Sequence, residues 1–544
     1  MNIKLASPEV EKLRELYYRE GISYLPKVLE LVDKNRLSPT YGCFDRSYWH
    51  YRTSDFPCGM AQEAVLALAM AYYLQAQDNP YQGQERISEL VVAGIDFARR
   101  SSHADGSCDD YFPYERAAGA TAFSLYAFTE SYLLLGLKQS THVEFFERRA
   151  RYLAGSGFRE SGILSNHKAL IVLCLYNTFL VTQNPVWRDQ AKARLEALLN
   201  LQSEEGWFPE YQGCDPGYLT FTVDFLAKYF SKSKDDRVRR PLLAAIEFSS
   251  HFMHPDGSYG GEYGSRNTFH FMPHGYELMG RDSPIAIRTV NQFLRGMKNG
   301  TRSYLDDDRI FVHYAYNFLQ AYRDFCAERK EPAPDQPEGV KYFEKAKLAV
   351  KRSRRFYAVV SLAKGGVGKY YKDGVLSLSD CGLVGETTDG KKFTSQMVSD
   401  FQWEIRGEQI TISGSCYAYR TILFTPFRFI LFRLFNTMVG RFLSPNFIRS
   451  VIQRIAITRR PKKVPIRFKK EIDLSNLDWI RYTLDLEDSG IGIKELWVGS
   501  DPTFIYVATS QPYQAGNLRP WRDLSEHLDT LNTKRTVTFQ IPIS

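Results

Sequence analysis

One glycine-rich stretch, residues 260–277, concentrates side chains that can transfer protons or hold an anion. It contains two histidines, two tyrosines, two carboxylates and an arginine, with four glycines that let a ligand approach the backbone closely. Loops of this length and composition are usually functional. We therefore expect the stretch to line a binding cleft, and its candidate contact residues are Glu262, Tyr263, Arg266, Asn267 and Tyr276.

His270 and His274 of this stretch have the spacing of two metal ligands on one turn of a helix, but Pro273 between them argues against such a pair. Neither a CxxC pair nor a zinc-type Cys/His spacing occurs in the sequence. We therefore expect no metal and no cofactor. Both histidines remain candidates for proton transfer.

A second cluster, Tyr41–Arg52, interleaves aromatic residues with arginine and aspartate. Arg46, Tyr48 and Trp49 would suit a wall on which a sugar ring stacks. The cluster would equally suit a cap that packs the N-terminal part of the domain closed. Both interpretations stay open on the sequence alone.

The elements that must position these residues follow a repeat. Glycine-centred turns at Gly106, Gly157, Gly206 and Gly257 recur about every fifty residues, which leaves room for two helices in each unit. Helical apolar periodicity is evident in Met60–Leu74, Ala117–Leu135, Ala169–Val181 and Pro241–Phe252. Helical hairpins of this kind must stack to bury their apolar faces. Because long polar loops lie at one end of the hairpins, we favour a closed ring with a cleft over an open superhelix.

The pattern changes at the proline-rich segment Glu331–Gly339. Beyond it, short β-branched and aromatic runs separated by turn residues are typical of an antiparallel sandwich. The runs that predict strands are Phe356–Leu362, Val375–Leu378, Gln409–Ser413, Ile480–Leu486, Thr503–Ala508 and Arg535–Ile541. The predicted fold is an incomplete (α/α) toroid of helical hairpins over residues 1–335, followed by an antiparallel β-sandwich over residues 345–544.

Basic charge is concentrated in the second part of the chain, where residues 341–544 hold 32 Lys and Arg against 19 Asp and Glu. Within it, residues 418–470 read as a basic, apolar insertion that ends in a patch containing Arg459, Arg460, Lys462 and Lys463. Such a stretch suits a helix at an anionic membrane surface. It would also suit a helix docked on the protein with arginines facing an acidic polymer. Nucleic acid is not expected, because no recognition motif accompanies the charge.

Cysteine usage and the N-terminal sequence bear on the compartment. Eight cysteines in 544 residues are too few for a disulfide scaffold, and the first residues read as an amphipathic helix rather than a secretory signal. We expect a cytoplasmic protein. The basic insertion adds a peripheral position at the inner face of the membrane as a further expectation.

The Asn166-His167 pair begins a predicted ring helix, and the acidic corner Glu204–Tyr211 is followed by Tyr218. Both motifs resemble heparinase II/III-type polysaccharide lyases, which place an Asn-His pair at the start of a ring helix and have an acidic loop that leads to a catalytic tyrosine. Residues 363–367 with Ser379 and Asp380 resemble an early sandwich hairpin of the same family. The order of the domains agrees as well.

The resemblance implies β-elimination on an acidic, uronate-containing polysaccharide or oligosaccharide. Asn166 would neutralise the uronate carboxylate, with Arg266 as a second candidate, while Tyr218 and His167 would move the protons. Glu210 would contact the substrate. The family generally takes one histidine from its β-domain, whereas residues 341–544 hold only His527. That role has therefore passed to His270 or His274, or the lyase chemistry has been lost.

Other functions remain open. Asp109, Asp110 and Glu115 are carboxylates that a glycoside hydrolase on the same ring would use as acid and as base or nucleophile. A non-catalytic glycan-binding or assembly protein in surface-polysaccharide synthesis would keep the scaffold without the chemistry. The corner Gln202–Trp207 is also similar to the Gln-Trp repeat of triterpene cyclases, which are built of helical hairpins too.

Overall fold

The computed structural model of the protein describes residues 8–160, 164–211, 213–304, 309–329, 337–421, 423–443, 462–488 and 490–543. Its helices, numbered along the chain, are α1 Pro8–Ser23, α2 Leu25–Leu31, α3 Arg46–Trp49, α4 Ala64–Tyr73, α5 Glu85–Ser101, α6 Ala118–Leu135, α7 Ser140–Tyr152, α8 Phe158–Glu160, α9 Ser165–Thr182, α10 Pro185–Leu199, α11 Pro216–Ser233, α12 Arg239–Ser250, α13 Pro273–Leu278, α14 Pro284–Asn299, α15 Phe311–Arg323, α16 Pro426–Met438 and α17 Leu528–Lys534.

The N-terminal helices form a closed double ring. The inner helices contact one another in the order α4, α6, α9, α11, α13 and α15, and α15 returns to contact α4. Each inner helix pairs with an outer helix, and the pairs are α4 with α5, α6 with α7, α9 with α10, α11 with α12, α13 with α14, and α15 with α1. The first helix of the chain therefore completes the last hairpin.

The inner and outer helices differ in sequence for a physical reason. Helix α4 is apolar on all sides and most of it is buried, because it packs against neighbours in the ring and against its outer partner. Helix α14 is amphipathic, with Ile287, Val290 and Leu294 buried and Lys298 in its last turn facing solvent. A helix with one apolar face can cover the ring from outside but cannot form its interior.

Two of the recurring corner glycines occupy positions where the backbone conformation and the close packing exclude any other residue. Gly206 and Gly257 both have positive φ angles, 99° and 81°. A Cβ atom would lie 2.5 Å from the carbonyl oxygen of Ala244 at Gly206, and 2.5 Å from that of Gln292 at Gly257. Each corner thus presses on the backbone of the next outer helix, α12 or α14, where no side chain fits. Gly157 differs, since it ends the helical segment Leu153–Gly157.

The C-terminal part forms two antiparallel sheets. Their strands are β1 Gly339–Phe343, β2 Leu348–Arg352, β3 Phe356–Ser361, β4 Gly368–Lys372, β5 Val375–Asp380, β6 Leu383–Thr387, β7 Lys392–Thr394, β8 Gln402–Arg406, β9 Gln409–Ala418, β10 Lys463–Asp473, β11 Trp479–Leu486, β12 Ile493–Val498, β13 Arg522–Asp523 and β14 Thr536–Pro542. The first sheet runs β1-β2-β3-β4-β5 and the second β13-β12-β6-β7-β9-β10-β11-β14, with β8 paired to β9.

The first sheet lies between the helical ring and the second sheet. Successive side chains of a strand point to opposite faces, so in β3 Tyr357 and Val359 join the core of the ring while Ala358 and Val360 join the core between the sheets. This two-sided burial accounts for the uninterrupted apolar run of β3. The predicted toroid followed by an antiparallel β-sandwich is confirmed.

Three details of the C-terminal half add to or correct the sequence predictions. Residues 503–508 are not a strand, contrary to the prediction. The predicted basic stretch 418–470 contains α16, and its last part, from Lys463, belongs to β10. Residues 331–336 of the predicted linker and residues 444–461, with Arg459 and Arg460, lie outside the described residues. Within the described part of the chain, no helix is both long and apolar enough to cross a membrane.

A buried ion pair joins the two sheets. Lys470 of β10 lies 2.7 Å from the carboxylate of Asp380 in β5, and neither side chain is exposed. The hydroxyl of Tyr482 donates to the same carboxylate at 2.8 Å. Burial lowers the pKa of Lys470, and Asp380 counteracts that effect. Removing one partner would leave the other charge buried without compensation.

We expect Lys470→Met to lower the free energy of unfolding by about 3–5 kcal/mol, because Asp380 would lose its counter-charge. Lys469→Met is the matched control, since Lys469 pairs with Glu471 at the surface, and its effect should stay below about 0.5 kcal/mol. Urea unfolding followed by circular dichroism measures both. Equal effects of the two substitutions would contradict the conclusion that Lys470 and Asp380 form a buried, stabilising ion pair.

Candidate functional site

A cavity of about 150 Å³ opens at one end of the helical ring and is here called the ring cavity. Four of the five residues predicted to take part in catalysis line it, and they are Asn166, His167, Tyr218 and His270. They come from the starts of α9 and α11 and from the loop that precedes α13. A larger cleft of about 740 Å³ lies between α14 and the β2–β3 hairpin, but none of these four residues lines it.

Asn166 is fixed by Glu210. Its backbone N–H donates to Glu210 Oε1 at 2.7 Å, and its side-chain Nδ2 donates to Glu210 Oε2 at 2.9 Å. Glu210 thus satisfies an N–H group that the first turn of α9 leaves without a helical partner. Burial raises the pKa of Glu210 to about 8, although the two Asn166 donors oppose the shift. Glu210 orients the amide and is itself completely buried.

His167 occupies a space that a glycine leaves open. Its ring lies edge-on to Phe123, with the ring centroids 6.1 Å apart. A Cβ atom on Gly119 of α6 would lie only 2.7 Å from His167 Cε1. The close approach of α6 and α9 at this level therefore depends on Gly119, which sequence reasoning did not single out.

Tyr218 stands in the first turn of α11, where Asp215 caps the helix. The Asp215 carboxylate accepts from the Tyr218 backbone N–H at 3.1 Å and from the Arg266 backbone N–H at 2.8 Å, so it ties α11 to the 260–277 stretch. Burial raises the pKa of Tyr218 well above its ordinary value. The phenol is consequently protonated and available as a proton donor.

His270 lies beside Tyr218, with the two ring centroids 5.5 Å apart. Its Nδ1 is 2.6 Å from the hydroxyl of Tyr314, and its Nε2 is 2.9 Å from the hydroxyl of Thr509. Burial lowers the pKa of His270 to about 3, so the imidazole is neutral near pH 7. With both nitrogens engaged, His270 is suited to orienting its neighbours.

The segment predicted as a strand, residues 503–508, instead runs as a loop over the ring and leads to Thr509. The Phe504 carbonyl of this loop accepts from Asn267 Nδ2 at 2.9 Å. Ser510, which follows Thr509, donates its hydroxyl to the Arg266 carbonyl at 2.7 Å. Val507 and Thr509 complete one wall of the ring cavity. Residues from the β-domain therefore do reach the site, but they are Val507 and Thr509 rather than a histidine, and the sequence offered no local signal for them.

The loop Asp110–Glu115 forms the opposite wall with Arg309. Arg309 lies 3.0 Å from the Asp110 carboxylate and stacks over the ring of Tyr111 at 4.5 Å. Glu115 accepts from the backbone N–H of Asp110 at 3.1 Å and of Tyr111 at 2.7 Å. The two carboxylates thus hold a cation and shape a loop. Arg309 brings a positive charge to the ring cavity that the sequence analysis missed.

Asp109, the third carboxylate predicted for a hydrolase, does not line the ring cavity. It accepts from the backbone N–H groups of Tyr114 at 2.8 Å and Arg116 at 3.0 Å, and it bonds His103 Nε2 at 2.8 Å. Tyr114 and Arg116 both have positive φ angles, 62° and 49°. Asp109 therefore holds the loop in an otherwise costly conformation.

The second aromatic cluster lies away from the ring cavity. Trp49 donates its indole N–H to the Leu31 carbonyl at 2.9 Å, and Tyr48 packs near Phe97. Arg46 stacks on a neighbouring tyrosine. The structure thus favours the packing interpretation of residues 41–52, because their polar groups are used within the N-terminal part of the ring.

His274 also lies elsewhere. It sits in the first turn of α13, where its Nε2 bonds Asp324 at 2.8 Å. Burial lowers the pKa of His274, and the Asp324 carboxylate opposes the shift. The two histidines separate because Pro273 starts a new helix after His270, and Pro273 was the residue that argued against a helical pair in the sequence. Within the described residues, no group of three or more His, Cys, Asp or Glu side chains could hold a metal ion.

The remaining candidates of the 260–277 stretch hold the loop together. Glu262 lies 3.4 Å from Lys369, and Asn267 accepts from Lys364, which is inserted from the β-domain. Tyr263 bonds His254 at 3.0 Å, and Tyr276 bonds Ser249 at 2.7 Å in the core. These four residues do not line the ring cavity.

Arg266 lies close behind the ring cavity. Its guanidinium stacks on Tyr211, a lining residue, 3.7 Å from the ring centroid, and faces Tyr506 at 4.9 Å. The positive charge of Arg266 therefore supports the wall without forming part of it.

In the predicted basic patch, Lys462 and Lys463 are exposed and distant in sequence from all cavity residues.

No protein-family model matches the chain, and no curated protein is similar enough in sequence to match it. Solved structures do match in fold. The chondroitin AC lyase of Streptomyces coelicolor A3, solved with chondroitin sulphate, aligns with a TM-score of 0.53 and 11% identity over 92% of this chain and 69% of its own. A Paenibacillus xanthan lyase aligns with a TM-score of 0.52 and 11% identity over 91% of this chain. The protein spans only 47% of that xanthan lyase chain.

The elevated pKa of Glu210 makes stability depend on pH. The folded state releases the proton near pH 8, whereas an unfolded glutamate releases it near its ordinary value of about 4.3, so stability is lost as pH rises through this window. We expect the melting temperature of the native protein, relative to Glu210→Gln, to fall between about pH 5 and 8 and then level off.

Differential scanning fluorimetry across this pH range measures the effect. Glu204→Gln is the matched control, because Glu204 is exposed at the same corner and its pKa is lowered by Lys345. The control difference should stay flat from about pH 5 to 8. A flat profile for Glu210→Gln as well would show that Glu210 titrates normally.

Proposed function

We propose that the protein is a polysaccharide lyase that cleaves an acidic, uronate-containing polysaccharide or oligosaccharide by β-elimination. The observation that carries the proposal is the convergence of Asn166, His167 and Tyr218 on one cavity. These residue types supply the three requirements of the reaction, which are neutralisation of the carboxylate, a base and an acid. The fold shared with two polysaccharide lyases supports the proposal, as does the heparinase II/III-like order of Asn-His and Tyr along the chain.

The uronate carboxylate would be received by the Asn166 amide and the Arg309 guanidinium. Hydrogen bonds and positive charge there stabilise the negative charge that develops as the C5 proton leaves. Glu210 holds the Asn166 side chain in a fixed orientation, so its donor is preorganised before substrate arrives. Preorganised donors lower the barrier because they need not reorient during the reaction.

His167 would accept the C5 proton and Tyr218 would give its proton to the leaving glycosidic oxygen. The C5–H and C4–O bonds break, a C4=C5 double bond forms, and water is not consumed. Tyr218 is protonated near pH 7, which is the form that the acid of this step must have before it donates. His270, held between Tyr314 and Thr509, would position the tyrosine ring beside it.

The carboxylates of the ring cavity support elimination over hydrolysis. A glycoside hydrolase needs one carboxylic acid to protonate the leaving oxygen and a second carboxylate as base or nucleophile. Asp110 is held by Arg309, and Glu115 by two backbone N–H groups. The cavity is also smaller than the about 300–1,000 Å³ of typical ligand sites, so it would enclose the reacting unit while the polymer extends outside.

Tyr218→Phe should reduce kcat by about 10²-fold or more, since a general acid contributes about 10²–10⁴-fold. The assay follows the near-ultraviolet absorbance of the unsaturated uronate on a panel of uronate-containing polymers, beginning with chondroitin sulphate and xanthan. Tyr48→Phe is the control and should leave kcat unchanged, because Tyr48 lies outside the ring cavity. Reducing ends without the chromophore would show a hydrolase, and polymer retardation without any product would show a binding protein.

Gly119→Ala should displace the His167 ring and reduce kcat about tenfold or more, because a 1 Å misplacement can cost about 10²-fold. Alanine favours a helix over glycine by about 1 kcal/mol, so the melting temperature should not fall strongly. Gly155→Ala serves as the control, since a Cβ there meets open space. Full activity of Gly119→Ala would remove His167 from the proposed mechanism.

A further inference from the structure

Helix α16 has its apolar face turned to solvent. Phe427, Leu434 and Met438 lie on one side of the helix and are 69%, 53% and 67% exposed. Ile430 and Leu431 belong to the same side and are exposed by half or more. A surface helix of a globular protein normally buries this face and exposes its polar one. Here the arrangement is reversed.

The opposite side of α16 packs on the helical ring. The Phe432 ring lies 5.6 Å from that of Phe112, and Arg433 forms an ion pair of 3.0 Å with Asp55. Asn436 of the same side is completely buried. The helix is therefore held by its own polar and aromatic contacts, and its apolar side is left without a covering element among the described residues.

The apolar surface continues beyond the helix and is accompanied by positive charge. Leu423 and Phe424 before α16, and Phe442 after it, are exposed by two thirds or more. The sequence from Gln409 to Lys470 contains 13 Lys and Arg and no Asp or Glu. Of these cations, Arg428 is exposed within the helix itself. A contiguous patch of exposed apolar side chains marks a contact with a protein or a membrane.

We propose that α16 and its flanks form a docking surface for an anionic lipid bilayer, here called the α16 surface. Exposed Phe, Leu, Ile and Met would enter the boundary between head groups and acyl chains, and the basic residues would bind anionic head groups. Charge distinguishes this partner from a second copy of the chain. A two-fold dimer would bring identical cationic surfaces together, without one acidic residue of residues 409–470 to neutralise them.

The α16 surface lies next to the ring cavity. Phe112, which packs against α16, belongs to the loop Asp110–Glu115 that forms one wall of the cavity. Docking through α16 would therefore hold the cavity beside the lipid head groups, where a membrane-associated acidic glycan would reach it. This inference does not rest on the lyase proposal, because binding to a bilayer needs no catalysis.

The experiment is co-sedimentation of the full chain with phosphatidylcholine vesicles, with and without about one third phosphatidylglycerol, at two salt concentrations. We expect the native protein to sediment with the anionic vesicles, more weakly at high salt. The triple variant Phe427→Glu, Leu434→Glu and Met438→Glu should lose at least about 90% of the bound fraction, because carboxylates resist burial at the acyl boundary and are repelled by anionic head groups. These three side chains are exposed, so the fold should tolerate the changes.

The matched control carries the same number of new carboxylates at exposed apolar positions elsewhere, Leu37→Glu, Val375→Glu and Leu518→Glu, and should sediment like the native protein. Analytical ultracentrifugation without vesicles tests the other occupant of the surface. A native dimer that the α16 variant dissociates, together with absence of vesicle binding, would overturn the proposal in favour of self-association. Equal sedimentation of the α16 variant and the control would overturn it as well, as would equal binding to neutral and anionic vesicles.

Discussion

Contact between α15 and α4 closes the helical ring, and the ring cavity depends on that contact. Arg309, just before α15, meets Asp110, which lies between α5 and α6, so the closure joins segments 199 positions apart in the chain. Helix α1 packs behind α15 and completes the final hairpin. An open stack of the same hairpins would keep every helix but would separate Arg309 from the wall that it completes. Closure thus converts separate loop residues into one site.

Much of the fold follows from local patterns, and so does part of the site. Gly106, Gly206 and Gly257 recur because each corner contacts the backbone of a neighbouring outer helix, and this periodic need is visible in the sequence. Asn166 and Tyr218 each open an inner helix, so consecutive repeats bring them to the same end of the ring. Arg309 and Thr509 could not be found in this way. They reach the cavity through ring closure and domain packing, which leave no periodic mark.

The errors have equally specific causes. Residues 503–508 have the composition of a strand, but the Phe504 carbonyl bonds Asn267 of the 260–277 stretch, so tertiary contact overrides propensity there. Arg46, Tyr48 and Trp49 have the composition of a sugar-binding wall, yet they belong to α3 and contact Tyr51, Phe97 and Leu31. The titratable groups of the cavity show a complementary pattern, since burial raises the pKa of Glu210 and of Tyr218 and lowers that of His270. Desolvation therefore favours the neutral form of each of these three groups.

The five-stranded sheet is a wall shared by two cores, with Tyr357 and Val359 on one side and Ala358 and Val360 on the other. Separating the two halves of the molecule would expose a complete apolar face on each, at a free-energy cost proportional to its area. Neither half is therefore expected to fold stably without the other. The same wall makes a clamshell-type opening between the two halves costly, so the ring cavity keeps an aperture of fixed shape.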